Sequence, residues 1–96
     1  MASLQVEVRP GARVYGYSLF VDGVPPAMDA DHRGEVSCAG RCGDGSRHSL
    51  LYSFTGAAGA TLGIVLRCRG REVCRIAAAR IPEGAARYAG RRVFDL

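Results

Sequence analysis

Leu4, Val6 and Val8 alternate with Gln5, Glu7 and Arg9, the period-two pattern of a strand with one buried face. Pro10-Gly11 punctuates it. Residues 13–21 carry apolar side chains at both parities (Val14, Tyr15, Tyr17, Phe20, Val21), which predicts a central strand covered on two sides. Asp22-Gly23 predicts a tight turn. Val24-Pro25-Pro26 lacks two backbone donors and so predicts a connector or a sheet edge. The polar run from Ala27 to Gly34 reads as a surface loop, 35–39 as a short strand, and Gly40 to Ser46 as a glycine-rich loop.

Leu50, Tyr52 and Phe54 share one face of a strand at 48–55, and 61–69 is the strongest strand of the chain. The segment 72–81 is ambiguous, because Ala77-Ala78-Ala79 favours helix by propensity. A helix there would be short and without a preferred N-cap, so a hairpin with 61–69 is the better reading. Pro82-Glu83-Gly84 breaks the chain, 85–89 predicts one helical turn, and 92–94 predicts a last strand. Six to seven short strands joined by Gly- and Pro-rich turns predict an all-β fold: a small antiparallel β-sandwich, or a partly open barrel, as a single domain over 1–96.

Composition changes this picture little. Across 96 residues, 48% are hydrophobic and 23% charged, which is globular usage and excludes a disordered chain. No apolar run approaches the roughly 18 residues that span a bilayer, so membrane insertion is not expected. Met1 to Gln5 has neither the basic flank nor the apolar core of a signal peptide, and a cytoplasmic location is the expectation. Bridged cysteines would instead imply export to an oxidising compartment.

The net charge of +4 comes entirely from arginine, with no lysine anywhere. Genomic base composition can produce this, but guanidinium groups also grip phosphate and carboxylate in two-pronged fashion. Arg67, Arg69, Arg71 and Arg75 cluster around one predicted hairpin, with 67, 69 and 71 on a shared face by alternation. That ribbon is a candidate surface for an anionic ligand, nucleic acid or acidic partner, or else a charged edge that resists aggregation.

Four cysteines stand at 38, 42, 68 and 74. A three-residue loop at 70–72 would set Cys68 opposite Cys74, near the separation a disulfide needs. The spacing of Cys38 and Cys42 suits a structural zinc site, which Cys68 and Cys74 would complete. A second ligand set is His32, Cys38, Cys42 and His48. Free buried thiols are the third reading.

Catalytic signatures are thin: Cys42 with His48 is a conceivable nucleophile–base pair, and no P-loop, G-x-S-x-G or G-x-G-x-x-G occurs. Arg9 and Arg13, with Asp44-Gly45-Ser46, resemble the R-x-x-x-R and D-x-S-x-x-G motifs of PilZ domains. The likeness covers only those positions, and Ser49 stands where the final glycine belongs, so it is not adopted. Absence of catalytic motifs, small size and the charged ribbon together predict a non-catalytic module. Its expected partner is a protein, with self-association allowed; an anionic ligand or nucleic acid is the alternative and a small cysteine-dependent enzyme the third choice.

Overall fold

In the computed structural model, which describes residues 1–96, the alternating segments become eight antiparallel strands with no helix. They are β1 (Ala2–Pro10), β2 (Val14–Val21), β3 (Ala27–Met28), β4 (Arg33–Cys38), β5 (Arg47–Gly56), β6 (Thr61–Cys68), β7 (Arg71–Arg80) and β8 (Arg87–Asp95). One sheet has the order β3-β4-β1-β6-β7 and the other β2-β5-β8. Two separate sheets make this the expected β-sandwich and not the barrel.

The even residues of β1, β4, β5 and β6 face inward, which is why Leu4, Val6, Val36, Leu50, Phe54, Leu62, Ile64 and Leu66 are all buried in one core cluster. Each contributes about 1.5–3 kcal/mol relative to exposure. Val65 points the other way yet is 1% exposed. Its register partners are Glu7 and Arg75, long side chains whose stems can cover it.

Two local expectations change and one ambiguity resolves. Residues 14–21 form an edge strand and not a central one: β2 pairs only with β5, leaving Tyr15 76% and Phe20 38% exposed. The expected hairpin of 72–81 with 61–69 forms, and in it pairing across from Leu62 and Ile64 overrides the helix propensity of Ala77-Ala78-Ala79. The helical turn at 85–89 does not form, and β8 begins at Arg87, where it pairs with Thr55.

The β6–β7 loop is two residues long. Arg69 (φ 51°) and Gly70 (φ 79°) both lie in the left-handed region, the backbone that matches the twist of a tight hairpin. Cys68 therefore faces Arg71 while Cys74 faces Leu66, so the expected Cys68–Cys74 juxtaposition fails by register. Asp22-Gly23 is a second such turn, closed by the Val21–Val24 bridge. The two sheets are tied at one side by Arg92, which donates to the Arg75 carbonyl (3.3 Å), and at the other by Tyr17 bonded to His32 Nδ1 (2.7 Å).

Candidate functional site

The four arginines of the predicted ribbon are not one positive patch. Arg67 lies across from Gln5 and Glu72, and donates to Glu7 Oε1 at 3.3 Å. Glu7 also pairs with Arg9. The Arg9 guanidinium holds the Glu7 carboxyl below its usual range, with desolvation opposing it and Arg67 adding to the lowering. Arg75 clasps Glu72 through Nη2 (2.6 Å) and Nε (2.9 Å), which lowers the Glu72 carboxyl. Arg71 donates to the Leu96 backbone oxygen at 3.1 Å, away from Arg67. Only Arg69 is without a side-chain hydrogen bond or ion pair among these four. The outward face of the five-stranded sheet is thus a lattice of opposite charges, with a groove of about 540 Å³ lined by Gln5, Glu7, Asp29, Arg33, Glu35 and Arg67.

The outward face of the three-stranded sheet differs. Odd residues of β5 and β8 and even residues of β2 point out, giving cross-strand rows Phe20–Leu51–Arg91, Ser18–Ser53–Ala89 and Gly16–Thr55–Arg87. Phe20, Leu51 and Val93 are 38%, 44% and 43% exposed, half of all the large exposed apolar side chains. Two shallow hollows, of about 190 and 250 Å³, share Ser18 and Ser53 and run from Phe20 and Leu51 to Thr55 and Arg87. The Ser18 and Ser53 hydroxyls bond each other at 3.0 Å on their floor. Arg87 and Arg91 are exposed and unpaired, whereas the two carboxylates near them are engaged, Asp95 by Arg47 at 3.4 Å and Asp22, which lines a hollow with Arg91 and Val93, by His48 at 2.6 Å. Nothing in the linear pattern singled this face out, because Phe20 reads there as covered on a central strand and Leu51 only as a position opposite the Leu50, Tyr52 and Phe54 face. Exposed apolar residues on an edge strand are the signal that would have found it.

The cysteines separate into two kinds. Cys42 and Cys68 lie at disulfide distance, with Cα atoms 5.7 Å apart, joining the β4–β5 loop to the end of β6. Closing a separation of 26 residues, such a bridge contributes about 3 kcal/mol in the chain-entropy account. Cys38 and Cys74 are buried and free, and burial pushes both thiols up. The four-thiolate arrangement does not assemble, since β7's register carries Cys74 away from the loop that holds Cys42. The set His32, Cys38, Cys42 and His48 is also dispersed: His32 bonds Tyr17, and Cys38 sits in the core beside Ala2.

His48 is 6% exposed and makes a different partnership from the one expected with Cys42. Its Nδ1 meets Asp22 Oδ2 at 2.6 Å and its Nε2 meets Ser46 Oγ at 2.8 Å. This is the connectivity of a Ser–His–Asp nucleophile site. Ser46 Oγ, however, also donates to Asp44 Oδ1 at 2.6 Å, and the Asp44 carboxylate accepts from the Ser46 and Arg41 amides as well. Those bonds, the Ser46 hydroxyl foremost, hold the Asp44 carboxyl down at about 2. A carboxylate clasping the hydroxyl disfavours any developing oxyanion beside it. Asp22 is pushed up by partial burial but pulled below its usual range overall by His48 and the Ser49 amide. The network fastens the β4–β5 loop to the Asp22-Gly23 turn, as satisfied buried polar networks do. The separation of 26 residues between Asp22 and His48 hides it in the sequence. No family model, curated protein or solved structure matches this chain.

Proposed function

We propose that this protein is a non-catalytic interaction module whose contact surface is the outward face of β2, β5 and β8. The carrying observation is the coincidence, on one face, of exposed Phe20, Leu51 and Val93 with unpaired Arg87 and Arg91 and no free carboxylate. Desolvated apolar area supplies affinity, and the arginines supply orientation and on-rate. From Leu51 to Thr55 the joined hollows extend for about 13 Å, the length of four extended residues. The partner that fits is an acidic protein segment in extended form, with an apolar side chain for the Phe20–Leu51 hollow and carboxylates for Arg87 and Arg91. Two copies of this chain set face to face would oppose like charges, which favours a different protein over self-association.

The test is calorimetric titration with extended peptides alternating Glu with Leu or Phe, at low and high salt. Micromolar binding that Leu51→Glu abolishes and salt weakens supports the reading. Binding that is indifferent to Leu51→Glu, or absent at low salt, overturns it. Nucleic acid is the competing ligand, and the pairing of Arg67 and Arg75 with Glu7 and Glu72 weighs against it on the other face.

A further inference from the structure

A cleft of about 260 Å³ opens beside the Cys42–Cys68 pair, lined by Ser3, Gln5, Cys42, Arg41 and Arg69. Cys42 is half-buried at its wall, while Cys68 is 1% exposed behind it. Arg41 is fixed at the start of the β4–β5 loop, where its amide donates to Asp44 Oδ2 (2.8 Å), and Arg69 sits in the β6–β7 turn at positive φ. Both guanidinium groups are unpaired, and no carboxylate lines the cleft.

From this geometry we infer that Cys42 is a site of reversible S-thiolation by small thiols that carry carboxylates. The two arginines concentrate an anionic thiol at the mouth of the cleft, as clefts lined by one sign of charge do. The thiolate of such a molecule attacks Cys42 Sγ, the sulfur it can reach, forming a new S–S bond. The Cys42–Cys68 bond breaks, and its electron pair leaves with Cys68 Sγ, which takes a proton from solvent. No net oxidant is needed, because one disulfide is exchanged for another. The reverse step is built in: with its Cα held 5.7 Å from that of Cys42, Cys68 re-attacks, restores the bridge and releases the small thiol. Cys38 and Cys74, buried in the core, stay outside this chemistry.

The experiment follows the purified protein by intact mass during exposure to three thiols at equal thiolate concentration. They are glutathione (anionic), 2-mercaptoethanol (neutral) and cysteamine (cationic). The account expects the glutathione adduct to form about tenfold faster than the cysteamine adduct in low salt, with the ratio collapsing toward one in 1 M salt. Peptide mapping places the adduct on Cys42. The Arg41→Gln/Arg69→Gln variant, altered only at exposed positions, loses the preference while keeping its fold by circular dichroism. Rates that follow thiol basicity alone, an adduct on Cys68, or four alkylatable thiols in the untreated protein would each overturn the proposal.

Discussion

On the five-stranded sheet, Arg9, Arg67 and Arg75 each close on a nearby carboxylate; on the three-stranded sheet, Arg87 and Arg91 close on none. The first face hides its one large apolar residue, Val65, beneath charged stems, while the second leaves Phe20, Leu51 and Val93 open. The difference comes from register. β1 and β7 bring Glu7 and Glu72 to Arg67, whereas β8's neighbours across the small sheet are Leu51 and Thr55. A count of arginines along a strand therefore does not locate the accessible positive charge; what lies across from each one does.

The largest effect is expected from Leu51→Glu, at the centre of the open face. It should weaken peptide binding by about a hundredfold, the scale of a central contact residue turned repulsive, with stability changed by less than about 1 kcal/mol because the site is half open. Calorimetry and thermal melting read the two effects separately. Charge reversal at Arg87 and Arg91 should cost about tenfold at low salt and little at high salt. Arg67→Ala and Arg75→Ala should leave binding within about twofold, which a titration of each variant checks.

The masked arginines of the first face can be released. Glu7→Gln with Glu72→Gln frees three arginines, and the protein should then elute from a heparin column at higher salt than the parent. The smallest effect concerns the loop network. Asp44 has its carboxyl lowered from 3.8 to about 2 in the folded protein. Its stabilisation is thus present above the unfolded value and is lost as pH falls through the folded one. Asp44→Asn should flatten the loss of melting temperature between about pH 4 and 2.

Elements with one-sided burial were readable before any coordinates: Leu4, Val6 and Val8, and Leu50, Tyr52 and Phe54, face the core as their alternation dictates. Asp22-Gly23 turned as its residue types require. The failures share a cause. Apolar residues at both parities of 14–21 look alike whether the second face is covered by protein or left open, so β2's edge position was invisible. A loop at 69–70 in place of 70–72 moved the partner of Cys68 from Cys74 to Arg71, and a register shift between Leu66 and Arg67 set Cys74 against Leu66, leaving Cys68 for Cys42. The Asp22–His48 link and the Glu7 clasp on Arg67 join residues 26 and 60 apart in sequence, which pattern reading does not pair.

The outward face of β2, β5 and β8 is the proposed contact surface. Titrating the isotopically labelled protein with a Glu/Leu-alternating peptide, and following backbone amide shifts by NMR, tests it most directly. The account predicts saturable shifts confined to residues around Ser18, Phe20, Leu51, Ser53, Ala89 and Arg91. Shifts centred on Arg67, Arg69, Arg71 and Arg75, or none at millimolar peptide, would contradict it.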